Sequence, residues 1–176
     1  MSKKILHIMV LDKFIPPFIE FVNKHFNPDE HIYLIFGQKD EKYGKLDAKN
    51  IEYIKSKKEV FKLLRYLYKS KKIIIHGLWN EHFNRLLFLQ PWLLKKCYWV
   101  MWGGDFYFPE KQSFIKKQVI KKMGHFITYI KGDYELVQKW YGANGKWHRC
   151  FLYPDAIVDK KFNFDKKKNA IFIQIA

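Results

Sequence analysis

The sequence predicts an α/β fold built on a doubly wound, mainly parallel β-sheet. Short, nearly wholly apolar runs alternate with segments of helical periodicity, a pattern typical of successive β-α-β units. The run Cys97-Tyr98-Trp99-Val100-Met101-Trp102 is apolar throughout, as expected for a strand covered on both faces. It stops at Gly103-Gly104-Asp105, and ligands bind at such carboxyl strand ends in open α/β sheets. We therefore expect a Rossmann-like domain with its functional groups at one edge of the sheet.

Composition limits the class of protein and its partners. The chain has 176 residues, of which 48% are hydrophobic and 19% aromatic, which is enough for one domain with a real core. The formal net charge of +16 favours anionic partners such as phosphate groups, nucleic acid or an anionic lipid surface. A lysine-rich, solvated surface explains the same charge equally well.

The cysteines and the apolar runs predict the compartment. Cys97 and Cys150 each fall in an expected strand and lack metal-ligand spacing, so we expect buried free thiols in a reducing compartment. No apolar run reaches the length needed to span a bilayer, and the basic N-terminus lacks a signal-peptide cleavage site. We expect a cytoplasmic protein whose membrane contact is peripheral.

The first half of the chain alternates strands and helices. Pro16-Pro17 favours the opening of a helix that carries Phe18 and Phe21 at helical spacing. An amphipathic helix follows from Val60 to Tyr68, with basic residues on its other face. The expected strands of this half are 4–11, 31–36, 51–54 and 73–75, the last of which runs into His76-Gly77.

The second half continues the alternation. We expect a helix over 81–96 that Pro91 kinks or splits, and Asp133 as the N-cap of a later helix. The lysines at 57–58 and 116–117 are expected on solvated helix faces, or against an anionic membrane. The remaining expected strands are 97–102, 126–130 and 149–153, and the remaining expected helices are 114–123 and 134–141.

Changes in composition predict the domain boundaries. We expect the Rossmann-like domain to occupy residues 1–154 and a polar, lysine-rich linker to occupy 155–169. Residues 170–176 again form an apolar run, which has to be covered by another layer. We expect this run either to add to an edge of the sheet or to be the first strand of a second domain.

Polar residues at the expected strand ends are the candidates for chemistry. His76 follows one buried strand, and its imidazole would act as a base or hydrogen-bond donor at neutral pH; a structural histidine is equally compatible with the pattern. Asp105 follows the next strand, where it would bind hydroxyls, orient a histidine, act as a general base, or merely serve as a turn carboxylate or helix cap. Asp12 is a third candidate after the first strand. Lys131 precedes a helix whose N-terminus would receive a phosphate.

Several common functional motifs do not occur in the chain. It contains no Gly-x-Gly-x-x-Gly fingerprint and no Walker A motif, which argues against a nicotinamide enzyme or a P-loop hydrolase. It also lacks His-Glu-x-x-His, Cys-x-x-Cys and the Gly-x-Ser-x-Gly elbow. We therefore expect no metal and no cofactor.

Four segments carry a resemblance to a known family: KILHIMVLD, IIIHGLWN, LLKKCYWVMWGGDFY and GHFITYIKGDYELVQKWYGANGKWHRCFLYP. They resemble the bacterial 4-acetamido-4,6-dideoxygalactosyltransferases, also called the 4-alpha-L-fucosyltransferase family or glycosyltransferase family 56. The Trp-Gly-Gly-Asp and Lys-Gly-Asp-Tyr-Glu-Leu blocks are the most specific parts of the resemblance. It implies a GT-B glycosyltransferase with two Rossmann-like domains, the first binding mainly the acceptor and the second mainly the donor.

The resemblance also implies a reaction and a location. N-acetylfucosamine would move from a TDP-linked donor to a polyprenyl-diphosphate-linked disaccharide during enterobacterial common antigen synthesis. The enzyme would lie peripherally on the cytoplasmic face of the bacterial inner membrane, against its anionic surface. Members of the family are about two domains long, so the resemblance covers their N-terminal part, and we expect no transfer by this chain alone.

The candidate residues take roles under this interpretation. Asp105 and His76, with Asp12 as a third, would include the base that deprotonates the acceptor hydroxyl. We expect the acceptor to contact Trp79, Gly103, Gly104, Tyr107 and Lys131.

Two alternatives come from other classes of protein. A non-catalytic basic module would bind nucleic acid or an anionic membrane, but nucleic acid is not expected because the strands read as covered on both faces. A doubly wound signalling domain would need an acidic cluster after the first strand, where Asp12 stands alone.

Overall fold

A single parallel sheet of seven strands organises the chain, in the order β3-β2-β1-β4-β5-β6-β7. The structure, a computed structural model, describes residues 4–37, 46 and 48–150. All six pairings between neighbouring strands are parallel. The strands are β1 (Ile5–Val10), β2 (His31–Phe36), β3 (Ile51–Ile54), β4 (Lys72–His76), β5 (Cys97–Val100), β6 (His125–Ile127) and β7 (Lys146–His148).

Helices cover both faces of this sheet. The α-helices are α1 (Ile15–His25), α2 (Val60–Lys69), α3 (Glu81–Leu89), α4 (Gly103–Phe106), α5 (Phe114–Lys121) and α6 (Lys131–Tyr141). α1 leads from β1 to β2, and α3 leads from β4 to β5 in the opposite direction across the sheet. Right-handed connections therefore place α1 and α3 on opposite faces. This confirms the predicted α/β fold and its Rossmann-like, doubly wound sheet.

Each face of the sheet has its own apolar core. One core packs strand side chains such as Trp99 and Phe126 against α2, α3, α5 and α6, which we call the helix layer. The other packs side chains such as Tyr33 and Ile74 against α1. Successive side chains alternate between the faces along a strand, so in β4 Ile73 and Ile75 face the helix layer. His76 consequently faces α1.

Proline and glycine explain two departures from the predicted elements. The helix expected over 81–96 ends at Leu89, and a 3-10 helix over Pro91–Lys96 follows, because proline supplies no N–H to continue the α-helix. The expected strand over 97–102 ends at Val100, and the Gly103-Gly104 segment forms the short helix α4, which the sequence pattern did not indicate.

Other boundaries at the C-terminal half were wrong. Asp133 is not an N-cap, because α6 begins at Lys131 and is preceded by Ile130. β6 ends at Ile127, short of the expected 130. The strand expected over 149–153 lies earlier, as β7, whose pairing starts where the N–H of Lys146 donates to the carbonyl of Gly124 at 2.8 Å. Residues 151–153, the linker at 155–169 and the strand at 170–176 lie outside the described residues.

Cys97 and Cys150 are both free and buried, as predicted, although Cys150 lies after β7 and not in a strand. Burial raises the pKa of the Cys97 thiol to about 12, which makes it an unreactive core side chain. Within the described residues, no His, Cys, Asp and Glu side chains group as a metal site would require. No helix there is long and apolar enough to cross a bilayer.

Candidate functional site at the carboxyl edge of the sheet

The predicted site residues lie around the carboxyl ends of β1, β4, β5 and β6. The chain leaves β1 and β4, which are neighbours in the sheet, in opposite directions. Such a switch point opens a crevice between the two connecting loops, and ligands of doubly wound proteins bind there. The fold therefore brings the loops after β1 and β4 to the place where the sequence predicted function.

Asp105 ties two of these loops together from inside the protein. Its Oδ2 accepts hydrogen bonds from the backbone N–H of Leu78 at 2.9 Å and from the indole Nε1–H of Trp99 at 2.8 Å. Its Oδ1 accepts from the backbone N–H of Trp102 at 3.0 Å. Asp105 thus joins the loop after β4 to the strand and turn of β5.

Burial controls the charge of this carboxyl group. Asp105 is fully buried, and burial raises its pKa to about 7, although the three N–H donors and the nearby Lys116 ammonium oppose the rise. None of the surface of Asp105 is exposed, so in this conformation it would influence a bound ligand only through the loops that it holds. Its assignment as the catalytic base stays a prediction.

His76 lies on the other face of the sheet from Asp105. Its ring packs edge-on against Phe18 of α1, with ring centroids 4.8 Å apart. Its Nε2 lies 3.1 Å from Nδ1 of His7, whose Nε2 lies 3.0 Å from Nδ1 of His31. The three imidazoles form a buried chain across β4, β1 and β2. Desolvation by burial lowers the pKa of His76 to about 3. The structure does not bring His76 and Asp105 together.

Asp12 and Lys131 occupy the two sides of the edge. Asp12 Oδ1 accepts a hydrogen bond from the backbone N–H of Phe14 at 2.7 Å, which shapes the loop between β1 and α1. Lys131 is the first residue of α6, is exposed, and lies 3.4 Å from a carboxylate oxygen of Glu135. Their proposed roles in catalysis and acceptor binding stay predictions.

Trp79 is the exposed aromatic side chain of the loop after β4, and its indole is 46% exposed. The ring packs on two glycines. A Cβ added at Gly77, whose φ is +85°, would overlap the pyrrole ring, and one added at Gly104 would lie 3.0 Å from Cη2. Backbone contact at both ends of the indole fixes its position, so Trp79 offers a preformed flat surface to a ligand.

Gly103 and Gly104 therefore serve aromatic packing inside the protein. A Cβ at Gly103 would lie 2.5 Å from the ring of Tyr107. The Tyr107 hydroxyl donates to Asp133 Oδ1 at 2.7 Å, which joins the turn after β5 to the first turn of α6. The sequence interpretation assigned these glycines to the close approach of a ligand. In the described structure the rings of Trp79 and Tyr107 occupy the space beside them, and their assignment to acceptor binding stays a prediction.

Sequence reasoning missed Lys116 and Glu81. Lys116, expected on a solvated face, is buried in α5, with its Nζ 6.0 Å from the Trp79 ring centroid. Desolvation lowers the pKa of Lys116, although Asp105 and Glu81 oppose the shift. The signal was present in the sequence, because Lys116 stands three, four and seven residues before Val119, Ile120 and Met123, on the apolar side of the helix.

Glu81 opens α3 beside this lysine. Its Oε1 accepts from the Ser113 hydroxyl at 2.7 Å, and its Oε2 accepts from Nδ2 of Asn84 at 3.2 Å. Asn84 is fully buried, and its Oδ1 finds no hydrogen-bond partner among the described residues. The Lys116 ammonium thus interacts with the Glu81 carboxylate and lies 6.0 Å from the centroid of the Trp79 ring.

Replacing Gly77 by alanine is expected to displace the Trp79 indole and to lower the free energy of unfolding by roughly 1–3 kcal/mol. Gly37→Ala is the matched control, since Gly37 has a φ of +110° but nothing within 4 Å of an added Cβ. Both variants carry backbone strain, whereas only Gly77→Ala should shift the emission of Trp79. Equal fluorescence changes in both variants would contradict the packing role assigned to Gly77.

Two comparisons of the chain with known proteins return no match. No family model matches the chain, and no curated protein matches it.

Proposed function

We propose that this chain is the acceptor-side domain of a glycosyltransferase, and that the carboxyl edge of its sheet binds the acceptor through Trp79. The observation that carries the proposal is the preformed, half-exposed indole at a topological switch point. A pyranose ring has one apolar face of C–H groups and a rim of hydroxyls, and aromatic side chains with a few polar neighbours suit such a ligand.

The polar groups around Trp79 match that rim. Glu81 supplies an acceptor for sugar hydroxyls, and the Lys116 ammonium lies within reach of the indole at 6.0 Å from its centroid. A buried ammonium group also favours a ligand that carries negative charge, as a diphosphate does. Asp105 holds the loop that carries Trp79 through the N–H of Leu78, so it is a positioning residue in this proposal.

The finer identity of the reaction rests on the sequence resemblance described above. The acceptor would be a polyprenyl-diphosphate-linked disaccharide and the donor a TDP-linked N-acetylfucosamine. Transfer requires that an acceptor hydroxyl attack the anomeric carbon of the donor sugar while the nucleoside diphosphate departs. The hydroxyl proton passes to a base, for which the half-buried Asp12 is the candidate at the switch point.

The proposal is tested by titrating the chain with a water-soluble acceptor analogue, N-acetylglucosaminyl diphosphate bearing a short prenyl group, in a calorimeter. Trp79→Ala is expected to weaken binding at least about tenfold, equivalent to about 1.4 kcal/mol. Trp140→Ala is the matched control, because Trp140 is also an exposed tryptophan, at 38%, but lies in α6 away from this edge.

Two results would overturn the proposal. The first is no binding of the analogue by the wild-type chain at millimolar concentration. The second is an equal loss of affinity in Trp79→Ala and Trp140→Ala, since the ligand would then not distinguish the carboxyl edge from the rest of the surface.

A further inference from the structure

A second exposed aromatic surface lies at the opposite, amino edge of the sheet. Tyr68 ends α2, Leu89 ends α3, and Trp92 lies in the 3-10 helix that leads into β5. Their side chains are 53%, 71% and 55% exposed, respectively. We call these three residues the Tyr68–Trp92 patch.

The polar atoms of the patch are satisfied within it. The indole Nε1–H of Trp92 donates to the Tyr68 hydroxyl at 3.2 Å, and that hydroxyl donates to Oε1 of Gln90 at 2.6 Å. These bonds hold the two rings in fixed positions. The surface available to a partner therefore consists of the two aromatic rings and the aliphatic side chain of Leu89.

Charge is segregated around this patch. Between Val60 and Gly132 the only acidic residues are Glu81, Asp105 and Glu110, and all three follow the carboxyl ends of β4 or β5. The amino edge carries lysines over the same stretch and at the start of β7. The exposed ones are Lys69, Lys71, Lys95, Lys121, Lys122 and Lys146.

We propose that the Tyr68–Trp92 patch and its lysines dock on the surface of an anionic lipid bilayer. Tyrosine and tryptophan concentrate at the membrane interface, leucine enters the acyl boundary, and lysines bind anionic headgroups. The exposed aliphatic side chain of Leu89 and the internally bonded polar tips favour a lipid partner over nucleic acid, whose bases need hydrogen-bond partners as well as stacking surfaces. The proposed contact is interfacial, because the aromatic rings and the lysines lie on the surface of the protein.

The position of this contact suits a ligand that emerges from the membrane. α3 links the two surfaces, since Trp79 lies two residues before its first residue and Leu89 is its last. At 1.5 Å per residue this helix is about 13 Å long, so Trp79 would stand roughly that far from the lipid headgroups. The membrane contact goes beyond the proposed sugar site and does not depend on it.

Vesicle flotation of the full chain tests the proposal without any acceptor. The chain is expected to bind phosphatidylcholine vesicles that contain phosphatidylglycerol and not vesicles of phosphatidylcholine alone. Replacing both Leu89 and Trp92 by serine should lower the partition coefficient at least about tenfold. Phe61→Ser should leave it unchanged, because Phe61 is 84% exposed but lies in the first turn of α2, toward the carboxyl edge. Circular dichroism of each variant confirms that the fold is retained.

A second set of variants tests the charge and stays informative if the first set is unstable. Replacing Lys69, Lys71 and Lys95 by glutamine should lower vesicle binding at least about tenfold at low salt. Lys13, Lys58 and Lys111 are the control set, because they are exposed and lie toward the carboxyl edge. Their replacement removes the same total charge but should lower binding much less.

Three outcomes would overturn the proposal. The first is an equal loss of vesicle binding in the two triple variants. The second is equal binding to vesicles with and without phosphatidylglycerol. The third is no vesicle binding, together with salt-sensitive binding of a single-stranded oligonucleotide that replacement of Lys69, Lys71 and Lys95 abolishes. The sugar-analogue titration is a separate measurement, so failure of the membrane contact and failure of the proposed function are distinguishable.

Discussion

Asp105→Ala is expected to lower the free energy of unfolding by about 3–5 kcal/mol, the largest effect of any single substitution considered. The change removes the acceptor of three hydrogen bonds at once, from Leu78, Trp99 and Trp102. Each buried N–H group left without a partner costs about 1–3 kcal/mol. Part of this cost is relieved because alanine also removes a fully buried carboxyl group.

Urea unfolding at pH 7.5 is the direct measurement of this effect. Asp133→Ala serves as the control, since Asp133 is half-buried and accepts one hydrogen bond, from Tyr107; its loss should cost at most about 1 kcal/mol. A similar loss of stability in the two variants would show that the Asp105 bonds do not hold the loops together.

Asp105 also makes a definite contribution to the pH dependence. Its pKa is raised to about 7 in the folded protein, whereas in an unfolded chain it is about 3.9. The folded state therefore binds the proton more tightly, and the contribution of Asp105 to stability falls as the pH rises from about 4 to about 7. Asp105→Asn should abolish this component.

The buried histidine chain is expected to make the protein unfold in mild acid. Desolvation lowers the pKa of His76 to about 3 and that of His31 to about 4, and lowers the pKa of His7 well below its usual value. In the unfolded chain each imidazole has a pKa of about 6.5. The unfolded state thus binds more protons, so stability is full above about pH 6.5 and is lost as the pH falls toward 4.

The magnitude follows from the size of the shifts. A shift of one pKa unit corresponds to about 1.4 kcal/mol, so His76 and His31 each lower the free energy of unfolding by roughly 3 kcal/mol once the pH has fallen from 6.5 to 4. This acid loss has the opposite sign to the Asp105 contribution and exceeds it, because three groups act against one. We therefore expect net destabilisation between pH 6.5 and 4.

Urea unfolding at a series of pH values between 7.5 and 4.5, on a wild-type chain and two variants, measures this dependence. His7→Phe removes the central imidazole and should flatten the acid loss, whatever its effect on stability at neutral pH. His82→Phe is the control, as His82 is exposed on α3, and it should follow the wild-type curve. If the His7 and His82 variants show the same slope with pH, the buried chain is not the cause of acid sensitivity.

The strands and the fold class were largely predictable from local sequence. β2 and β3 have the bounds that their apolar runs predicted, and α2 lies where its amphipathic spacing placed it. Periodicity of two or of 3.6 residues is a local property, so a short window contains the information. Errors concentrated at glycines and strand ends, as at Gly103 and at β7, where contacts from distant residues decide the conformation.

The candidate site was predictable in its location and not in its composition. The alternation of strands and helices placed Trp79, Asp105 and Tyr107 at one edge of the sheet, because parallel strands end together. The sequence also placed His76 and Asp105 together at neighbouring strand ends, but the alternation of side chains along β4 turns His76 toward α1. Which face a strand residue occupies depends on where the helices pack, and that is set by connections between distant segments.

The amino-acid pattern was sufficient to predict an α/β protein with a parallel sheet, buried thiols and an edge carrying aromatic and acidic residues. Three further features are visible only in the folded chain: Asp105 is a buried acceptor of three hydrogen bonds, Lys116 approaches Trp79, and two glycines fix the indole. The physical reason is that burial, and with it pKa and hydrogen-bond partners, arises from residues far apart in the chain. Local periodicity predicts which side of a helix or strand is apolar. Which residues that side contacts is determined by the packing of segments that are distant in the sequence.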